Sequence, residues 1–229
     1  GNIVNEVGAL PQAPVKKHAT LSDQAYQIIR NAIVINELKP QEPLIEERLS
    51  ETLSISRTPL RTALHRLVDE GLVEVSGKNL VVSRMTQADV AAVQSVRLRL
   101  ELLVMEELQN CVTPALLTKL RTTIQRQAQL SMDTAEDFVQ YIHLDCQFHT
   151  TLAQATGNKY LHDLVGRINT HSNRCLMLST TLHASRSPAI QEHTAILTAL
   201  EREDYPQAVQ AMQDHITAVS RRFISISIP

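Results

Sequence analysis

The 229-residue chain has no tryptophan, three phenylalanines, four tyrosines and only six glycines. With so few β-prone aromatics and turn glycines it cannot be built as a sandwich or barrel, so an all-β fold is excluded. Its three cysteines, Cys111, Cys146 and Cys175, are odd in number, widely spaced and set within helical apolar patterns. That excludes a disulfide framework and a CxxC zinc pair and fits reduced thiols in the cytosol. No uncharged apolar run approaches the roughly 18 to 20 residues of a bilayer span, and no charged-then-apolar signal segment opens the chain. A soluble cytoplasmic protein with no membrane partner is the expectation. Nor is basic charge in excess: 22 Lys and Arg against 24 Asp and Glu leave a formal net charge of −2. Any contact with nucleic acid has to come from a local basic face.

What is present favours helix. Apolar residues make up 43 % of the chain, Leu, Ala, Gln and Glu are common, and the length allows one or two domains with a real core. One stretch has a sharp start and two unlike faces: Ser56-Arg57-Thr58-Pro59-Leu60-Arg61-Thr62-Ala63-Leu64-His65-Arg66-Leu67. Ser56 is a preferred N-cap, and Pro59 falls in the first turn, where its missing N–H costs no intrahelical bond. Leu60, Leu64 and Leu67 face a core at helical spacing, which stacks Arg57, Arg61 and His65 on the outer side. Upstream, residues 45–53 make an amphipathic helix carrying Arg48, and Ser54-Ile55 leave room only for a tight turn. Two readings are open: an ordinary surface helix with solvated arginines, or a helix-turn-helix whose second helix reads DNA. In the second, Arg57 and Arg61 bond base edges, while Arg48, Ser56 and Thr58 hold phosphates.

Residues 1–20, with Pro11, Pro14 and Lys16-Lys17-His18, show no period and read as a flexible arm. A helix over 22–36, capped by Ser22, precedes the helix pair 45–53 and 56–70, and Gly71 ends the third. Runs 72–75 and 80–82 around Ser76-Gly77-Lys78-Asn79 form a two-stranded wing whose Lys78 contacts phosphate. From Thr86 the period is helical, with helices expected over 87–109, 114–131, 135–155, 159–183, 188–202 and 205–226. The fold expected is mainly α: a winged helix-turn-helix at 21–83, then an all-α antiparallel bundle at 86–226.

The order Ala25-Tyr26-x-x-Ile29-Arg30-x-x-Ile33, Pro40-x-x-x-Leu44, Leu49-Ser50, Ser56-Arg57-Thr58-Pro59-Leu60-Arg61 and Glu70-Gly71-Leu72-Val73 resembles the winged-helix domain of GntR-type bacterial transcription regulators. Gln41 and Ser54 stand where that family usually has Gly, Thr62 stands for Glu, and Gly77-Lys78-Asn79 replaces an Arg-Gly wing tip. The resemblance implies double-stranded operator DNA as a partner and a homodimer matched to paired half-sites.

Polar residues interrupt the apolar seams of the second half. One seam runs Phe138, Ile142, Asp145, His149, Leu152; others place His193 among Ile190, Leu197 and Leu200, and His215 among Ala208, Ala211 and Val219. Burying an unpaired polar ring costs roughly 1 to 3 kcal/mol, so either each histidine finds its own partner or a metal ion gathers them. No seam carboxylate besides Asp145 is placed as a general base, which argues against a metalloenzyme with a helical appendage. Asp145-x-x-Phe148-His149, Gly157-Asn158, Glu192-His193, His215 and Arg97-x-x-Leu100-Glu101 resemble the FCD ligand-sensing domain of the FadR-like subgroup. That resemblance implies a divalent metal on Asp145, His149, His193 and His215, zinc first, with nickel, manganese or iron as alternatives. It also implies a small organic-acid effector held by the metal and Arg97, in a cavity that His171 and Arg174 help to line. Arg97 interrupts the seam Val90, Val93, Leu100, Val104, and pairing with Glu101 one turn on is its structural alternative. A regulator that senses the metal itself is the remaining reading.

Overall fold

The computed structural model describes residues 19–179 and 182–224, the side chains of 182–185 and 224 excepted. Residues 1–18 of the expected arm, with His18, lie outside this range, as do 225–226 at the expected end of the last helix and the side chain of His183. The described elements are helices α1 Leu21–Val34, α2 Glu46–Leu53 and α3 Arg57–Asp69, then strands β1 Val73–Ser76 and β2 Asn79–Val82. Six more helices follow: α4 Gln87–Leu108, α5 Pro114–Gln129, α6 Ala135–Ala155, α7 Lys159–Leu178, α8 Leu182–Glu201 and α9 Tyr205–Ile224.

Threonine occupies the N-cap of α1, α4, α5 and α6. Thr20, Thr86 and Thr134 accept from the N–H three residues on, and Asp23, Asp89 and Asp137 reach back to the cap backbone. Each such reciprocal cap stabilises by about 1 kcal/mol. The first helix is therefore capped by Thr20, not by Ser22 as expected. The strong signal was the Thr-x-x-Asp spacing, which begins two residues before Ser22.

In the winged helix α1, α3 and the wing bury Ala25, Ile29, Leu60, Ala63, Leu64, Leu67, Leu72 and Val82 in one cluster. Arg66 stacks over the Tyr26 ring at 3.8 Å and donates to Asp23, while Tyr26 donates its hydroxyl proton to Glu70, which ties α1 to α3. The two positions where glycine is usual still adopt the left-handed region, with φ 67° at Gln41 and 53° at Ser54. Non-glycine residues pay for that strain. Gln41 offsets it by donating its backbone N–H to Val82 O at 2.8 Å and its side-chain amide to Glu74 at 2.6 Å. The wing is an antiparallel pair in register Val73↔Val82 to Ser76↔Asn79, turned at Gly77 with φ 62°.

In the bundle α9 packs on α4 and α8, α7 on α4 and α6, and α5 on α6 and α8. The expected break at Ser187-Pro188 is not there. Helix α7 ends at Leu178, and α8 begins at Leu182 and runs through Pro188. An interior proline costs a helix about 3 kcal/mol. Packing outweighs it: Arg186 donates to the carbonyls of Ala128, in the last turn of α5, and of Leu130, its C-cap, and Ala189, Ile196, Leu197 and Leu200 are buried. All three cysteines are free, and burial pushes the Cys146 thiol up to about 11 and Cys175 to about 12. Among the described residues no helix is long and apolar enough to cross a membrane.

Candidate metal centre and recognition helix

Helices α6, α8 and α9 aim His149, His193 and His215 at one point, with one ring nitrogen of each within 4.8 Å of the others. His215 Nε2 lies 3.2 Å from His193 Nε2 and 3.3 Å from His149 Nε2. Imidazoles bound to one divalent ion at about 2.1 Å hold their nitrogens about 3.0 to 3.4 Å apart. The spacing fits such an ion.

Glu192 sets the tautomer of His215. His215 Nδ1 meets Glu192 Oε2 at 2.6 Å, and Glu192 is itself held by Arg222 at 2.7 and 3.0 Å. With the proton on Nδ1, His215 turns a lone pair inward, the orientation that a ligating histidine needs. Burial drives the His193 pKa well below its ordinary value, and neighbouring His215 and His149 push the same way. Burial also brings His215 down to about 4, against the opposing pull of Glu192. Both rings are thus neutral near pH 7, as metal ligation requires. Phe148 stacks on His193 with centroids 4.2 Å apart, and His193 Nδ1 has no hydrogen-bond partner among the described residues.

Glu101, which the apolar seam leaves out, is fully buried with its Oε1 3.0 Å from His149 Nδ1. Asn169 donates to its Oε1 at 2.9 Å, and Arg97 Nε lies 3.5 Å away. Burial alone would raise the Glu101 pKa; the His149 and Arg97 charges and the Asn169 bond outweigh it and bring the carboxyl to about 2. The buried face of α4 is Val90, Gln94, Arg97, Glu101, Val104, so the seam drawn through Val93 and Leu100 was rotated toward the apolar letters. Pairing of Arg97 with Glu101 was legible from the four-residue step. Glu192 stands with His193 in the resemblance but is given no role of its own there.

Asp145 stands at the rim: its Oδ1 is 3.7 Å from His193 Nε2, and it lines a cavity of about 20 Å³ with Arg97, Ser172, Asn173, His215 and Arg222. Arg97 Nη2 lies 3.0 Å from His149 Nε2, and its Nη1 donates to Ser172 Oγ at 2.7 Å. The expectation that His171 and Arg174 line this cavity is corrected. They share another face of α7 and grip the winged helix: His171 Nε2 bonds Glu70 O at 2.8 Å, and Arg174 donates to Ser83 Oγ at 2.8 Å and to Ser83 O. Residues three apart on a helix share a face, whereas Ser172 and Asn173 between them turn inward.

On α3, Leu60, Leu64 and Leu67 are buried and Arg57, Arg61 and His65 are exposed. Ser56 occupies the N-cap position, but its side chain makes no cap bond. Arg61 Nε is held by Glu46 of α2 at 2.9 Å, which leaves its Nη groups as outward donors. Arg48, Thr58 and, at the wing turn, Lys78 are exposed. Away from both sites, His143 is exposed and His162 is half-buried.

A winged helix-turn-helix with arginines on its exposed second helix, joined to a helical bundle with a buried histidine cluster, defines a class: DNA-binding transcription regulators with a second, helical domain. Residues 21–85 match the bacterial regulatory proteins of the gntR family, and residues 92–218 match the FCD domain. The chain belongs to the GntR family, in the branch that carries an FCD domain. An uncharacterized HTH-type transcriptional regulator from an unstable DNA locus of Streptomyces ambofaciens is 34% identical over 197 residues, 85% of this chain and 81% of its own. The HTH-type transcriptional repressor RspR of Escherichia coli K12 is 24% identical over 87% of each chain. Among solved structures, E. coli McbR/YncC has the same fold at a TM-score of 0.72 and 21% identity, over 90% of this chain and 100% of its own. A GntR regulator from Rhodococcus sp. RHA1 does so at 0.76 and 18%, over 89% and 97%. The family and the two curated relatives are transcription regulators and not enzymes, so the metalloenzyme reading falls away.

Proposed function

We propose that the chain is a homodimeric repressor whose operator affinity is set by a small organic acid bound at a metal centre in the FCD domain. The observation that carries this reading is the convergence of three buried imidazoles on one point, two of them backed by carboxylates. Asp145, His149, His193 and His215 hold the ion, zinc first. Its role is to offer open positions to oxygen donors. Arg97 supplies the second hold on the acid, since a guanidinium matches a carboxylate with two parallel bonds. On the DNA side Arg57 and Arg61 read base edges, and Arg48, Ser56, Thr58 and Lys78 hold phosphates.

The path between the two ends is short. Arg97 bonds Ser172, and the neighbouring residues of α7 grip Glu70 and Ser83 of the winged helix. An acid that draws Arg97 from Ser172 loosens that turn of α7. It changes operator affinity only through a difference in its own affinity for the two arrangements, and coupling of about 1 to 3 kcal/mol is ordinary. The cavity of about 20 Å³ also favours a second reading, in which the metal itself is the signal, because that volume suits a water-sized group. One experiment separates them. Operator is titrated with metal-stripped protein, metal-loaded protein, and loaded protein plus the acid that co-purifies with it. A change in affinity on adding acid supports the first reading, a change on metal loading alone supports the second, and no change in either arm refutes both.

A further inference from the structure

A cleft of about 470 Å³ opens between α1 of the winged helix and α6 and α7 of the bundle. Its volume lies within the range of small-molecule sites, yet it is separate from the metal chamber. Its wall carries Arg30, Arg126 and His143 and no carboxylate at all. Arg30 spends its donors on neutral oxygens, Thr170 Oγ1 at 2.8 Å and Asn31 Oδ1 at 3.4 Å. Neither Arg30 nor Arg126 has a carboxylate within ion-pair distance among the described residues, although 24 acidic residues in the chain match its 22 basic ones. Between the charges stand side chains that donate and accept, Gln27, Gln140 and Gln147 among them. At the back, Asn173 is 3% exposed, lines both this cleft and the metal chamber, and has an Nδ2 with no hydrogen-bond partner among the described residues. A buried N–H donor left unmatched costs free energy that a bound oxygen recovers.

We infer that this interdomain cleft is a second ligand site, for a small phosphate ester bearing hydroxyl groups. The two guanidinium groups take the phosphate, since planar donor forks match its oxygens. The amides and Thr170 take the hydroxyls, which both donate and accept. Because the walls belong to both domains, occupancy clamps one domain arrangement, and the site reports to DNA independently of the metal.

The test uses the full chain, metal-loaded, in calorimetric titrations at constant ionic strength with inorganic phosphate, glycerol 3-phosphate and glycerol. Saturable binding of both phosphates is expected, glycerol 3-phosphate the tighter, with none for glycerol. Arg126→Gln lies on an exposed position of α5 and leaves the fold intact; it and Arg30→Gln should each weaken binding about tenfold or more. Binding should survive chelation of the metal, and Arg57→Ala should leave it unchanged. Absence of saturable phosphate binding, indifference to both cleft arginines, or loss of binding on stripping the metal would overturn the assignment. Equal affinity for the two phosphates would overturn the ester.

Discussion

The two halves of the molecule keep their polar chemistry in opposite places. The winged helix wears it outside: Arg57, Arg61 and His65 stand in solvent above a plain apolar core of Leu60, Leu64 and Leu67. The bundle encloses it, with Arg97, Glu101, His149, Asn169, His193 and His215 all at most 2% exposed. An exposed side chain needs only a well-placed helix start to be ready for its partner. A buried one needs its partners built in, because each unmatched charge or donor carries a desolvation penalty. Changes in the two halves should therefore fail differently, one in affinity and the other in stability.

The largest effect belongs to the buried network. Replacing Glu101 by Ala leaves the Arg97 guanidinium uncompensated, and breaking such a pair costs about 3 to 5 kcal/mol, read by denaturant unfolding. Glu101→Gln keeps the shape and isolates the charge. A carboxyl whose folded pKa is depressed to about 2 contributes stability above its unfolded value near 4.5, and that contribution is lost as pH falls between the two. The wild type should thus lose more stability across that window than Glu101→Gln; parallel pH profiles would contradict the role given to its charge.

Next come the ligands. His149→Ala, His193→Ala, His215→Ala and Asp145→Ala should each lower metal content and melting temperature, since an ion bound only by the folded state stabilises it by about 2.7 kcal/mol at a hundredfold excess over Kd. Four variants that all keep stoichiometric metal after dialysis against chelator would remove the site. On the outer surface, Arg57→Ala should weaken specific operator binding by about 1 to 3 kcal/mol with unfolding unchanged. Arg61→Ala should do likewise while also freeing Glu46. A variant that loses stability instead of affinity would erase the contrast between the halves. The smallest effect is at the wing: Lys78→Ala should weaken all sequences alike and reduce the slope of log affinity against log salt by about one unit. A sequence-selective loss would make Lys78 a base reader.

The same contrast governs what was readable beforehand. Exposed chemistry on a capped helix is a local pattern, so the helix-turn-helix, the wing and the faces of α3 were legible from residue spacing. The histidines were legible because they break apolar stripes. The burial of Glu101 beside His149 was not, because a stripe drawn by apolar letters slid to Leu100, and only burial against α6 and α7 shows which face turns inward. His171 and Arg174 were misplaced for a related reason: residues adjacent to a site in sequence point about 100° away from it on a helix. The α7–α8 boundary was lost to Pro188, whose local preference is overruled by contacts that Arg186 makes nearly sixty residues back along the chain.

The grip of α7 on the winged helix has a consequence for how such proteins diversify. His171 and Arg174 take hold partly through main-chain carbonyls, Glu70 O and Ser83 O, which every residue type possesses. Side chains on the reading surface can be exchanged wholesale while the fastening goes unnoticed. A reading head transplanted from a sister protein would bring the same two sockets with it, so new operators can be acquired without redesigning the part that listens.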